Sequence, residues 1–346
     1  GEGDVTGPEV FWRLIQGQEL PKVVEGKQVE VRDIPPIVKP SIYGAVEISR
    51  GCGRGCAFCS PTMTKRKVIP IDMIVREVEL NVSCSVHDVL LVTEDVFMYG
   101  CKDSDFVPNR EAVGALLDAV TGVSGVESVQ VTHANLAAVS VDKMLAGRVA
   151  EVLSQKSKYS LRGKRVATVE VGVETGSPRL IGKYMAGKCR PFDPADWPGL
   201  VLSSLSFMEE HDWIALSTIL VGLPSESDED VGCTIKLIED IERMGLSTFL
   251  VPLLFVPLGT CGLREAAVRS FDGLSEFQVE VFALAWEHNV RVWGPDFFRS
   301  PAFASFWARF GFRLVSGLLY GLKYRWGDRW RRVVAERVLR ALRQVV

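Results

Sequence analysis

Nowhere in the 346 residues is there a run of about eighteen or more apolar residues, the length a membrane-spanning helix needs. The longest apolar stretch, Phe249 to Leu258, is interrupted by Pro252 and Pro257. No charged-then-apolar leader opens the chain, which starts on glycine rather than methionine and so reads as a fragment or a processed form. Asparagine and glutamine are scarce, a composition shared with heat-adapted proteins. Eight cysteines occur, but no two C-x2-4-C knuckles of the kind that build a structural zinc loop. What is present, 47% hydrophobic and 24% charged residues, describes a soluble globular enzyme with one large core.

Three of the eight cysteines are crowded together. Cys52, Cys56 and Cys59 fall in one loop, Gly51-Cys52-Gly53-Arg54-Gly55-Cys56-Ala57-Phe58-Cys59, directly after a strand-like stretch from Tyr43 to Ile48. Glycines at 51, 53 and 55 let the backbone double back, so that three thiolates can converge. A 4Fe–4S cluster held by three cysteines keeps one iron open for chemistry. A zinc loop would need a fourth ligand, for which Cys84 or Cys101 is the candidate. Adjacent cysteines in a tight loop of an enzyme-sized chain read as metal ligands rather than disulfides, and unpaired thiols suit a reducing cytoplasm. The other five, Cys84, Cys101, Cys189, Cys233 and Cys261, lack ligand spacing and read mostly as small core residues.

From Tyr43 onward apolar strands alternate with helices. Strands are expected near 43–49, 88–93, 126–132, 166–173, 214–221 and 247–255. Helices are expected near 71–82, 109–121, 141–154, 196–210, 228–244 and 274–288. A short amphipathic helix, 8–16, precedes them. Strands separated by helices of ten or more residues imply parallel pairing and right-handed crossovers, hence an α/β fold.

The spacing Cys-x3-Cys-x2-Cys after a first strand resembles the signature of the radical SAM superfamily. That resemblance implies a partial (β/α)6 TIM-like barrel with a mainly helical C-terminal extension. The expected divisions are a lead-in over 1–40, the core over 41–260 and the extension over 261–346. It also implies a 4Fe–4S cluster on Cys52, Cys56 and Cys59. S-adenosylmethionine (SAM) would bind the open iron and be cleaved reductively to a 5′-deoxyadenosyl radical. The opening Gly1-Glu2-Gly3-Asp4 resembles the junction that follows the cobalamin-binding domain in one subfamily. No Asp-x-His-x-x-Gly motif occurs, so cobalamin could enter only through a domain outside this chain.

Several strand ends match the family's cofactor contacts. Thr93-Glu94-Asp95 occupies the place of the Gly-Gly-Glu-like turn that holds the SAM ammonium, although the two glycines are replaced. Val131-Thr132-His133-Ala134-Asn135 ends the third strand, with Asn135 and His133 in reach of a pocket. Gly172-Val173-Glu174-Thr175 resembles the ribose-contacting element, and Glu170 shares the face of Glu174 in an alternating strand. Lys188, with Arg190 second, is the candidate for the SAM carboxylate. Gly222-Leu223-Pro224-Ser225-Glu226-Ser227 resembles the adenine-packing turn, with Ser225 where the family has glycine. Ser227-x-x-Asp230 also reads as a helix cap.

The charge is uneven. From Arg291 onward twelve Lys or Arg face three acids, so the tail carries nine excess positive charges and the rest twelve negative, for a net of −3. Aromatics are interleaved with these arginines, and Phe303, Phe306, Trp307 and Phe310 share one helical face. Such a stripe reads as core, as a lid, or as an interfacial segment suited to lipid headgroups. A lipid or other small-molecule substrate is therefore expected, with peripheral membrane contact through the tail and a reductase or ferredoxin-type electron donor. Nucleic acid is disfavoured for want of a base-reading motif. The reaction expected is hydrogen abstraction leading to methylation, ring formation or carbon–carbon bond formation, with tRNA or protein modification as the alternative. A third possibility is a non-catalytic Fe–S or zinc module. The absence of a second cysteine cluster argues against a methylthiotransferase.

Overall fold

The computed structural model describes residues 6–21, 29–102 and 106–299. Six parallel strands carry the architecture: β1 (Ala45–Glu47), β2 (Asp88–Val92), β3 (Ser128–Val131), β4 (Ala167–Glu174), β5 (Trp213–Val221) and β6 (Phe249–Leu254). They form two three-stranded parallel sheets, β1-β2-β3 and β4-β5-β6. A parallel bridge between His133 and Glu170 joins them, closed by Glu170 N–H to the Thr132 carbonyl (2.9 Å) and Ala134 N–H to the Glu170 carbonyl (3.1 Å). The six strands thus lie side by side in chain order.

Each connection runs through a helix: α1 (Ile71–Ser83), α2 (Arg110–Thr121), α3 (Lys143–Gln155), α4 (Trp197–Glu210) and α5 (Asp228–Arg243), with α6 (Glu276–Arg299) after the last strand. Local chemistry starts several of them. Asn109 and Asp142 accept from the backbone N–H of Ala112 and Leu145, capping α2 and α3, and Ser227 with Asp230 forms a reciprocal capping box on α5. One face of β4 and β5 is packed: Val169, Val171, Val173, Ala215, Ile219 and Val221 are buried. The alternate residues, Glu170, Gly172, Thr218 and Leu220, look into a cavity.

All six strands and the helices between them lie where expected, within one to three residues. The last helix does not stop near 288 but continues to Arg299, through Gly294 and Pro295. Docking outweighs the local breakers there. Asn289 bonds both the N–H (2.8 Å) and the carbonyl (2.7 Å) of Leu250, and His288 meets the Thr248 carbonyl (2.9 Å). A short helix, Leu136–Val141, was not expected; its start is fixed by Asn135, whose Oδ1 accepts from Ala137 and Ala138. The aromatic-basic stretch from Phe303 onward lies outside the described residues.

Candidate functional site

The cysteine loop is pinned from three sides. Gly51, Gly53 and Gly55 all have positive φ (+78°, +77° and +75°), which other residues adopt only under strain. Ala57 donates to the Tyr184 carbonyl (2.7 Å) and accepts from Leu263 N–H (2.9 Å). Gly187 comes so close that a β-carbon there would lie 1.8 Å from the Arg54 carbonyl oxygen. Arg54 itself is 4% exposed, and its guanidinium donates to the carbonyls of Gly187 (3.1 Å), Lys188 (3.4 Å) and Arg190 (3.4 Å) and to Asp95 (3.2 Å).

Cys52, Cys56 and Cys59 line one cavity of about 270 Å³, together with Glu94, His133, Asn135, Glu170, Glu174 and Lys188. Arg54, Phe58, Gly172, Thr218, Leu220 and Leu253 complete its wall. Seven of the residues expected from sequence, the thiols among them, are therefore brought together with Glu174 and Lys188. Burial pushes the thiols up, Cys56 to about 12 and Cys59 to about 11, so each must lose a proton to become a ligand.

The acid and the lysine at the far wall form a buried ion pair, Lys188 Nζ to Glu174 Oε1 at 2.8 Å. Burial pulls the lysine's pKa down, but Glu174 and then Cys56 outweigh it, and the ammonium stays charged. Glu174 sits at φ +63°, just past a register shift between Gly172 and Glu174. The left-handed conformation is uncommon for a side chain of this size and re-aims it at the strand end. Gly172 makes room for the pair: a β-carbon there would be 2.1 Å from Glu174 Oε1 and 2.3 Å from Lys188 Nζ. On the other wall His133 Nδ1 meets the Thr93 carbonyl (3.0 Å) and Nε2 lies 3.6 Å from Glu170. Burial pushes the nearby Glu94 carboxyl up.

Four expected contacts are placed elsewhere. Thr93 is buried with its hydroxyl against Ser49 (2.6 Å), and its carbonyl already accepts from Thr132 (2.8 Å). Asp95 faces away from the cavity, taken by Arg54 and by the N–H groups of Phe97 and Asn135 (3.2 Å each). Gly222 and Leu223 do not line the cavity. Gly222 N–H goes to Glu226 (2.8 Å), whose carboxylate also accepts from Gln278 (2.6 Å), so this turn is already tied into the protein. Arg190 likewise offers the site only its carbonyl.

Sequence reasoning passed over Arg54, Thr218 and Leu253. Thr218 and Leu253 were legible as inward positions of alternating strands; Arg54 carried no signal beyond being an arginine between two cysteines. Zinc fits poorly. Among the described residues no three His, Cys, Asp or Glu side chains could hold a single metal ion, and neither Cys84 nor Cys101 lines the cavity. Three thiols that share a cavity could hold a cluster, whose thiolates bind separate irons.

No protein-family model matches the chain. Among curated proteins it is 25% identical over 240 residues to the ribosomal protein uS12 methylthiotransferase RimO of Petrotoga mobilis, covering 66% of this chain and 50% of that protein. It is 24% identical over 258 residues to the tRNA-2-methylthio-N(6)-dimethylallyladenosine synthase of Nitrosospira multiformis, covering 71% and 50%. The chain thus spans about half the length of the curated relatives it matches. Among solved structures, the radical S-adenosylmethionine methyltransferase TsrM of Kitasatospora setae, with tryptophan and a SAM analogue bound, aligns at TM-score 0.41 and 15% identity over 62% of this chain and 35% of that one. In sequence, then, the chain is similar to methylthiotransferases at about a quarter identity.

These relatives correct the expected partners. By name they act on tRNA or on ribosomal protein uS12, macromolecules rather than a small molecule or lipid. The lipid expectation rested on the aromatic-basic tail alone, most of which lies outside the described residues. Among the described residues no helix is long and apolar enough to cross a membrane.

Proposed function

We propose that residues 41–260 form a partial (β/α)6 barrel, with α6 docked on its last strand, that works as the radical core of an enzyme modifying an RNA or a protein. Six parallel strands in chain order support the barrel, because that order with helical crossovers is how such barrels are wound. The observation that carries the reading is the gathering of Cys52, Cys56 and Cys59 into one cavity with Glu94, Glu174 and Lys188.

In this reading the three thiolates hold the cluster, and the group supplies one-electron cleavage of SAM and hydrogen abstraction from an unactivated carbon. The chain's residues bind and orient. Lys188 offers a charged donor for the SAM carboxylate, Glu94 an acceptor for its ammonium, and Glu174 an acceptor for the ribose diol. Asn135, whose Oδ1 is committed to its helix cap, offers its amide N–H groups. Glu170 and His133 form the wall nearest the joint between the sheets. Leu220 and Leu253 give the opposite side an apolar lining. Turn residues Gly222 and Leu223 support the strand end from behind.

Anaerobic reconstitution tests this. About four irons per chain and formation of 5′-deoxyadenosine with dithionite are expected. Zinc uptake with no SAM cleavage would reject it. Crosslinking to total tRNA or to ribosomal protein then separates the two substrate classes.

A further inference from the structure

One side chain touches three walls of the cavity at once. Arg54 belongs to the cysteine loop, ion-pairs with Asp95 next to Glu94, and donates to the carbonyls of Gly187, Lys188 and Arg190. Both charged side chains of the pair are 2% exposed. Phe106 stacks on the guanidinium at 4.7 Å, completing its desolvation. Its Nε is buried and has no hydrogen-bond partner.

We propose that Arg54 is the positioning residue of the cofactor site. Its fork fixes the cysteine loop against the segment that presents Lys188 and the turn that presents Glu94, and its charge makes the cluster easier to reduce. A planar guanidinium can reach four acceptors in fixed directions, which an ammonium on a flexible stem cannot. A buried positive charge two residues from Cys52 and Cys56 also stabilises the extra negative charge of a reduced cluster, since charge and hydrogen bonding near the sulfurs set its potential. Asp95, ion-paired with the guanidinium, offsets part of that charge. The inference rests on the radical SAM reading for the potential, but not for the ordering of the loop.

The test separates the two roles with R54K, R54M and the double variant R54M/D95N, which leaves no buried carboxylate unpaired. Hydrogen exchange on the apo protein reports the loop directly. Amides of residues 53–59 are expected to exchange at least tenfold faster in all three variants. In reconstituted protein, a redox titration followed by electron paramagnetic resonance is expected to give R54K a midpoint close to that of the parent and R54M a clearly lower one. SAM should bind at least tenfold more weakly to each. Unchanged loop exchange in R54M/D95N would overturn the positioning role. Equal potentials for R54K and R54M would overturn the charge effect. Failure of the parent to take up iron would reject the functional reading, while the exchange result would still decide on the loop.

Discussion

The cysteine loop and the Gly222–Ser227 turn both carry a family-like motif, and they differ in where their bonds go. The turn's bonds run within it, Gly222 to Glu226 and Ser227 to Asp230, and to residues 40 to 52 positions away: Tyr184 donates to the Pro224 carbonyl, Lys183 to the Ser225 hydroxyl, Arg179 to Asp230 and Gln278 to Glu226. The loop's bonds instead reach residues more than 130 positions away, at Gly187 and Leu263. Two of its thiols accept from backbone N–H groups, Cys52 from Arg54 and Cys59 from Thr62, yet burial raises the pKa of all three. A segment whose polar groups are matched by the protein around it is scaffolding. One that is propped open by distant segments, with costly groups left over, is a site.

Substitutions sharpen that contrast. Replacing Cys56 by Ser is expected to abolish SAM cleavage and most iron binding while the melting temperature of the apo protein moves by only a few degrees. Iron analysis and calorimetry check both halves; loss of folding would erase the distinction. Next in size is Lys188→Met, which strands a buried carboxylate and should cost about 3–5 kcal/mol. Adding Glu174→Gln is expected to recover much of that loss in urea unfolding without restoring SAM binding.

On the turn side, Asp230 gives a pH signature. Burial pushes its carboxyl up, but bonds from Arg179, Ser177 and Ser227 outweigh this and hold it well below the usual carboxylate range. A depressed folded pKa means the stabilisation is complete above the unfolded value of about 3.9 and fades as pH falls below it. The gap in melting temperature between parent and Asp230→Asn should therefore be full at about pH 6 and narrow as pH falls below about 4. A gap independent of pH would remove Asp230 from the acid response. Ser227→Ala is the smallest change, about 1 kcal/mol through the lost cap, with SAM cleavage intact.

The fold was legible because each strand and helix announces itself over a window of residues. Val169, Val171 and Val173 alternate with inward groups, and Asn109, Asp142 and Ser227 sit at helix starts. The site was legible where a side chain has an unusual cost, as with three adjacent thiols or an acid at a strand end. It was illegible where function depends on who arrives from elsewhere. Thr93 and Asp95 stand beside Glu94 in sequence, yet Ser49 and Arg54 claim them. Gly172 reads as an ordinary glycine until Lys188, sixteen residues on, is laid across it. The reach of α6 past Pro295 depended on contacts with β6 that no local pattern records.

The join between the two sheets carries a consequence for the whole molecule. Elsewhere neighbouring strands are stitched along several residues, but between β3 and β4 the backbone ladder is reduced to the bridge at His133 and Glu170, with Gln130 accepting from Thr168 beside it, and the cavity lies across this join. Asn135 stands on one side of that seam and Glu174 on the other. Any occupant gripping both works as mortar between two courses of brick, and its binding free energy is added to the coherence of the protein. The filled protein should then melt as a single unit at a higher temperature, while the empty one parts first along the seam.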